Sequence, residues 1–174
     1  MTSTTYILRS ERLGFSLWNQ QNKADFIRLY SNNEATTLIG GPFTTEQIEA
    51  RFQTQATNYI DYKMQYFPLY LLDTLQLVGC CGLRPYNHER QIFELGFHFL
   101  PEHWKKGYAS ESSKAMINYA FDVLQVKELF AGHHPQNTAS KQLLEKLGFL
   151  FVKEEYYEPT GLMHPSYTLT NKCT

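Results

Sequence analysis

The sequence predicts an α/β or α+β domain around one mixed sheet, and three observations lead to this prediction. Helical patterns come first, apolar runs separated by turn residues follow, and two strand–helix units come last. The 174 residues suit one domain with a single core, and no linker rich in proline, glycine or serine divides residues 1–174. With 43% hydrophobic and 19% charged residues, the chain has the composition of a folded protein.

The first part of the chain predicts one interrupted strand and two helices. Residues 8–17 have the pattern of a strand with two breaks. Apolar positions within residues 24–30 predict a short helix. Thr44 or Thr45 is a suitable N-cap for a longer helix, because apolar residues then recur at helical spacing.

The middle of the chain predicts a three-stranded meander. The apolar runs at residues 67–72 and 77–83 are separated by the turn-forming residues 73–74, which is typical of a hairpin. Residues 84–87 predict a turn, and residues 93–100 predict the third strand.

The last part of the chain predicts two strand–helix units. A helix begins near Ala109, and residues 128–132 follow it as a strand that should run parallel to the preceding strand. Asn137 is the expected N-cap of a further helix, and Gly148 is its expected C-terminal stop. The final strands are predicted at residues 149–156 and 166–170.

Charge and composition argue against several classes of protein. The formal net charge of −1 gives no basic footprint for nucleic acid. No apolar run approaches the roughly 20 residues of a membrane span, and the first residues do not resemble a signal peptide. Cys80, Cys81 and Cys173 lack the spacing of a metal site, and their odd number favours a reducing cytoplasm. We therefore expect a cytoplasmic protein without a metal, a nucleic-acid partner or a membrane.

A short basic loop is the most informative segment of the chain. The strand-like residues 94–100 end at Pro101, and Lys105, Lys106 and Gly107 then precede a helix. Backbone N–H groups in such a loop and at the N-terminus of a helix bind phosphate, with positive charge beside them. A simple strand-to-helix turn with solvated lysines explains the same residues equally well.

Two motifs together resemble a known family. Residues 94–111 contain E-L-G-F followed by P-x-x-W-x-K-G-Y-A-S-E, and residues 137–149 read N-x-x-S-x-x-L-L-E-K-L-G-F. In this order and spacing they resemble the Gcn5-related N-acetyltransferases (GNAT), and the branch of bacterial ribosomal-protein N-terminal (alanine) acetyltransferases in particular. The resemblance implies a single acetyltransferase domain over residues 1–174. Its mixed, mostly antiparallel sheet of six to seven strands would be splayed in the middle and flanked by about four helices.

The resemblance also implies acetyl-CoA as the acetyl donor. By position, the backbone of Phe97, Phe99 and Leu100 would pair with the pantetheine arm, and Asn137 would bind the pantetheine region. Trp104 stands where many members carry Gln or Arg, which we interpret as a trait of the branch. The amides that would hold the pyrophosphate belong to Lys105, Lys106, Gly107, Tyr108, Ala109 and Ser110.

The implied reaction is direct transfer, in which a neutral amine attacks the thioester carbonyl. We expect Ser140 to protonate or stabilise the leaving thiolate, although its position also suits a polar residue in the first turn of a helix. We expect Glu94 to act as a base through water, although an ion pair or a strand-edge charge explains it as well. His98 lies on the same face of the strand and is a rival base, or a packed strand histidine.

The acceptor amine is not determined by the sequence. The leading hypothesis is acetyl transfer to a primary amine, either a protein or peptide N-terminus or a small amine, by a monomer or homodimer. The alternatives are a non-catalytic acyl-CoA sensor of the same fold and an interaction protein with a vestigial cleft. Candidates for the acceptor pocket are Arg84, Tyr86 and Asn87, and an aromatic wall of Tyr156, Tyr157 and Tyr167, although the same residues also suit a turn and sheet packing.

Overall fold

Eight strands and five α-helices follow one another along residues 5–87 and 89–171, the part of the chain that the computed structural model describes. Cys173 lies outside these residues. The strands are β1 (Leu8–Arg9), β2 (Leu13–Phe15), β3 (Tyr66–Leu71), β4 (Leu77–Asn87), β5 (Ile92–Phe99), β6 (Glu128–Gly132), β7 (Leu150–Tyr157) and β8 (Leu162–Thr170). The helices are α1 (Lys23–Ser31), α2 (Asn33–Thr36), α3 (Thr45–Tyr62), α4 (Tyr108–Asn118) and α5 (Thr138–Lys146).

The predicted numbers of strands and helices are close to the observed ones, and each difference has a local cause. The interrupted segment at residues 8–17 forms two short strands that pair with each other. One four-residue helix, α2, is additional to the predicted set; the side chain of Asn32 caps it by accepting a hydrogen bond from the Ala35 N–H. The predicted N-cap Thr44 is confirmed, because its side chain accepts from the Gln47 N–H at the start of α3.

All eight strands form one sheet in the order β1-β2-β3-β4-β5-β6-β8-β7. Neighbouring strands run antiparallel except for β5 and β6, which are parallel and are joined through α4. A parallel pair needs such a crossover connection. The prediction of a mixed, mostly antiparallel sheet with one parallel strand at residues 128–132 is therefore confirmed.

The predicted turn at residues 84–87 is wrong, because β4 continues as a strand to Asn87. Proline is tolerated in a strand where its missing N–H is not needed for the ladder. The Leu100 N–H donates to the Val78 carbonyl, and alternation from that pair makes Phe93 and Pro85 a pair that exchanges no hydrogen bonds. Pro85 therefore removes no hydrogen bond between β4 and β5.

Helices cover both faces of the sheet and enclose two apolar clusters. One cluster lies under α4 and α5 and includes Met116 and Leu144, while the other lies under α1 and α3 and includes Phe26. Cys81 belongs to the first cluster and Cys80 to the second, as expected for adjacent strand residues. Both thiols are free and fully buried, so Cys80 and Cys81 act as small core residues.

The parallel pair β5–β6 separates part of the way along its length. The pairing comprises Ile92 with Glu128, Phe93 with Leu129 and Glu94 with Phe130. Beyond Glu94, β5 stays paired with β4 to Phe99, while β6 stays paired with β8 to Gly132. The centre of the sheet is therefore splayed, as the sequence resemblance implied.

Candidate active site

A cavity of about 430 Å³ lies where β5 and β6 separate. This volume is in the range of pockets that hold small molecules, roughly 300–1,000 Å³. Its walls come from the helices α1, α3 and α5 and from the strands β3 to β8. The sheet thus places residues from widely separated parts of the chain around one opening.

The β5 side of the opening presents backbone groups of Phe97. Alternation from the Leu100–Val78 hydrogen bond directs the N–H and carbonyl of Phe97 away from β4 and toward the gap. Phe99 has the same orientation, but its carbonyl accepts a hydrogen bond from Trp104 Nε1 at 2.8 Å. The Leu100 N–H is already bonded to Val78, and the side chains of Phe99 and Leu100 are buried in the two core clusters.

The basic loop has an unusual backbone that ends in the first turn of α4. Lys105 and Gly107 both have a left-handed conformation, with φ of 59° and 83°. Both lysine side chains are exposed, and the half-buried Tyr108, Ala109 and Ser110 form the first turn of the helix, where backbone N–H groups lack intrahelical partners. Alternating backbone of this kind gathers N–H groups into a concave anion site.

Gly107 is required by this backbone conformation more than by lack of space. A Cβ atom at Gly107 would meet Arg12 Nη2 at 3.4 Å as its nearest neighbour. That distance is short but falls on the end of a flexible side chain. The left-handed φ, which residues other than glycine adopt reluctantly, is the stronger constraint.

Asn137 and Ser140 form the opposite side of the opening. The Asn137 side chain caps α5, because its Oδ1 accepts the Ser140 N–H at 3.0 Å. Both residues line the same cavity as Phe97 and Glu94. The structure therefore brings together four of the residues that the sequence singled out.

Glu94 forms an ion pair with Arg84 on the neighbouring strand. Arg84 Nε and Nη2 lie 2.7 and 2.6 Å from Glu94 Oε2, and both residues line the cavity. Both contacts fall on the same carboxylate oxygen. The ion pair considered in the sequence analysis is thus present, and it holds a carboxylate at the rim of the gap.

His98 has the environment of a packed strand histidine. Its Nε2 lies 3.2 Å from the buried Cys80 Sγ, and its ring packs edge-on against Tyr30 with 4.9 Å between centroids. Burial, aided by the nearby charge of Arg51, lowers the pKa of His98 from 6.5 to about 3. A base this weak holds a proton poorly at neutral pH.

Comparison with known proteins identifies the family. The model of the acetyltransferase (GNAT) domain matches residues 12–150. The uncharacterized N-acetyltransferase YoaA of Bacillus subtilis is 30% identical over 145 residues, which cover 82% of each chain. The chain belongs to the GNAT acetyltransferases.

Solved structures share the fold of this GNAT acetyltransferase at low sequence identity. The ribosomal-protein-S5-alanine acetyltransferase of Vibrio fischeri matches with a TM-score of 0.77 and 15% identity, over 94% of this chain and 96% of that one. The spermidine N-acetyltransferase of Vibrio cholerae, solved with CoA and spermine, matches with a TM-score of 0.77 and 16% identity, over 91% and 95%. These structures show the shared fold. The protein is an N-acetyltransferase by its family, and that family uses acetyl-CoA.

Arg12 is a structural residue of this GNAT domain that lies outside the two sequence motifs. Its Nε lies 2.7 Å from Glu111 Oε2, and its Nη1 donates to the Lys106 carbonyl at 3.1 Å. The guanidinium also lies over the Tyr108 ring, 4.6 Å from the centroid. The opening segment of the chain is thus fixed onto the basic loop.

Tyr66 is a second residue that the sequence did not reveal. Its hydroxyl lies over Gly96, where an added Cβ would clash with the Tyr66 oxygen. Burial raises the pKa of Tyr66 well above 10.0; Arg84 opposes this shift and Glu94 adds to it. The E-L-G-F glycine therefore makes room for a protonated phenol in the cavity, and nothing in the sequence pairs these two positions.

Part of the cavity wall is both aromatic and polar. Tyr86 stacks on Phe130 with 3.9 Å between ring centroids, and its hydroxyl donates to Glu155 at 2.9 Å. Of the candidate acceptor-pocket residues, Arg84, Tyr86, Tyr156 and Tyr157 line the cavity. Tyr167 is instead buried in the core, so it packs the sheet.

Within residues 5–87 and 89–171, no group of three or more potential ligands is placed to hold a metal ion. No helix among these residues is both long enough and apolar enough to cross a membrane.

Proposed function

We propose that this protein transfers the acetyl group of acetyl-CoA directly to a primary amine bound in the cavity between β5 and β6. The observation that supports this most strongly is the separation of the two strands after Glu94. It leaves the gap side of the Phe97 backbone without a β6 partner, in a cavity that Asn137 and Ser140 also line. The acceptor would be a protein or peptide N-terminus or a small amine, and it would contact the aromatic part of the same cavity wall.

The donor fits the groups that the chain presents. The pantetheine arm carries amide groups, which match the N–H and carbonyl that Phe97 directs into the gap. The basic loop and the first turn of α4 supply N–H groups and the positive end of a helix dipole for the pyrophosphate. We assign this role to the amides of Lys105, Lys106, Gly107, Tyr108, Ala109 and Ser110.

Ser140 is our candidate for the group that assists the leaving thiolate. Its N–H is held by Asn137, which fixes the first turn of α5 at the edge of the gap. A hydroxyl there donates a hydrogen bond to the sulfur as negative charge develops on it. Such a contribution affects the rate more than the binding of the donor.

Glu94 is our candidate for accepting the proton of the amine through a water molecule. The carboxylate is held by two contacts with Arg84, so its position at the gap is fixed. An α-amino group, with an intrinsic pKa of about 8, needs little help from a base, whereas a lysine amine at about 10.4 needs more. Glu94 therefore matters most for acceptors of high pKa.

Coenzyme A release with a panel of amines and N-terminal peptides tests the proposal. Release that depends on an amine, with the acetylated amine found by mass spectrometry, would support direct transfer. A rise in Tm with acetyl-CoA but not with acetate, without release for any amine, would favour the sensor. We also propose a cytoplasmic location, since the two buried free thiols fit a reducing compartment.

A further inference from the structure

We propose that Arg51 makes this enzyme select primary amines that also carry an anionic oxygen group, a carboxylate or a phosphate, over polyamines. The inference rests on the proposed function, because it names the class of acceptor that the same cavity takes. Arg51 is a specificity-determining residue in this view and takes no part in the transfer itself.

Arg51 brings a positive charge to the cavity from α3. Its guanidinium carbon lies 3.9 Å from the centroid of the Phe43 ring, and the side chain lines the cavity with Tyr30 and His98. The guanidinium influences both neighbours, since its charge lowers the proton affinity of His98 and opposes the raised pKa of Tyr30. The positive charge of Arg51 therefore acts on side chains of the cavity wall.

No carboxylate neutralises Arg51 among residues 5–87 and 89–171. The ion pairs in this part of the chain join Arg12, Lys23, Arg28, Arg84, Lys141 and Lys153 to glutamates. Stacking on Phe43 orients the guanidinium but provides no countercharge.

The carboxylates at the cavity wall are already engaged. Glu94 pairs with Arg84, and Glu155 pairs with Lys153 at 2.9 Å while accepting hydrogen bonds from Tyr86 and Ser166. The histidines that line the cavity add no negative charge to it. Arg51 is therefore the charge in this cavity that is left for a ligand to satisfy.

The chemistry of a guanidinium defines the ligand. Its planar fork of N–H donors matches the two oxygens of a carboxylate or phosphate. A polyamine would instead bring a second ammonium group toward Arg51 with no unpaired carboxylate to receive it, and like charges at close range repel. An amine linked to an anionic group satisfies Arg51 and leaves the amine for acetylation.

A comparison of kcat/KM for matched acceptors tests this inference. The assay compares ω-amino acids, from glycine through β-alanine to longer chains, and O-phosphoethanolamine with the methyl esters of the same amino acids and with putrescine. For the unmodified enzyme we expect kcat/KM about tenfold higher for the best anionic amine than for its ester or for putrescine. The ranking of the carboxylates against O-phosphoethanolamine identifies which anionic group the site prefers.

Arg51→Gln removes the charge and keeps a side chain of similar shape. We expect the preference to fall to about threefold or less, mainly through KM, because the contact serves binding. Arg9→Gln is the matched control: Arg9 also lies over an aromatic ring, that of Tyr6, but does not line the cavity. Arg9→Gln should keep the full preference.

The outcomes separate this inference from the proposed function. Acetylation that favours putrescine or the esters, or a preference that persists in Arg51→Gln, overturns the role of Arg51 and leaves acetyl transfer standing. If no amine is acetylated and acetyl-CoA does not raise Tm, the proposed function fails. In that case, Tm is measured with the anionic amines alone. A rise in Tm for the unmodified protein but not for Arg51→Gln supports the anion site, and no rise for either protein overturns it.

Discussion

Arg12 and Glu111 lie 99 residues apart in the chain, and an ion pair of 2.7 Å between Nε and Oε2 joins them. The backbone N–H of Arg12 and the hydroxyl of Ser10 also donate to Glu111 Oε1, each at 2.7 Å. One carboxylate thus holds the opening strands against the first turns of α4. The helix whose N-terminus would bind pyrophosphate is thereby fixed to the turn between β1 and β2.

Glu111→Gln should lower the free energy of unfolding by about 1–2 kcal/mol, because it weakens hydrogen bonds to a charged group. Urea denaturation measures the change. Glu102→Gln is the control: Glu102 pairs with Arg28 where both side chains are about half exposed, so we expect a change below about 0.5 kcal/mol. Equal effects of the two substitutions would show that the Glu111 contacts add nothing beyond a surface ion pair.

The stabilisation by Glu111 should depend on pH in a defined direction. Burial tends to raise the pKa of Glu111, but hydrogen bonds from Ser10 and Arg12 outweigh it and hold the pKa below 4.5 in the folded protein. A carboxyl with a depressed folded-state pKa stabilises the fold above its unfolded pKa, and this contribution is lost as the pH falls through the folded pKa. The difference in unfolding free energy between the unmodified protein and Glu111→Gln should be constant near neutral pH and shrink below about pH 4.5.

Gly107→Val should weaken acetyl-CoA binding through the backbone of the loop. Because the φ of 83° is left-handed, we expect Gly107→Ala to weaken binding nearly as much, whereas Gly107→Asn should be milder. Calorimetric titration with acetyl-CoA measures the order. Gly161→Ala is the matched control, since Gly161 has a φ of 69° with nothing near its missing Cβ and lies between β7 and β8. Unchanged affinity in Gly107→Val would remove the loop from the donor site.

Ser140→Ala should lower kcat by about 10- to 100-fold with a smaller change in KM for acetyl-CoA. The hydroxyl acts on charge that develops during the reaction, so the bound donor gains little from it. Thr138→Ala, in the same turn of α5 but exposed and outside the cavity lining, should leave steady-state kinetics unchanged. A pure KM effect of Ser140→Ala would mean that the residue only helps to bind the donor.

Glu94→Gln should lose most activity near neutral pH and regain much of it as the pH rises. The recovery follows because more of the acceptor amine is then neutral without a base. Rate–pH profiles with one acceptor of low and one of high amine pKa measure this, and Glu154→Gln on exposed β7 is the control. Activity that is low at every pH, with a lower Tm, would assign Glu94 a structural role beside Arg84.

Local sequence patterns predicted the helices and strands of this chain well, and long-range pairing explains most of what they missed. Residues 84–87 have the composition of a turn, but the register of β4 against β5 leaves Pro85 without a hydrogen bond to lose. The approach of Tyr66 to Gly96 and the meeting of Arg51 with His98 in the cavity wall depend on packing between distant segments. The motifs located one side of the site because a loop followed by a helix is encoded locally. The acceptor side is instead assembled from elements that are far apart in the chain.

The separation of β5 from β6 has a consequence for what this sheet can recognise. Open sheets expose unpaired backbone at their outer edges, where other chains can add to them. Here unpaired backbone also lies in the interior of the sheet, between strands that keep their partners on the outer side. A narrow molecule with its own amide groups can take the place of a short strand there. A longer polypeptide strand could not continue past Glu94 and Phe130, because from there on β5 and β6 are hydrogen-bonded to each other. The fold therefore offers β-sheet hydrogen bonding to a linear ligand of limited length at a place that is unsuited to extended strand addition.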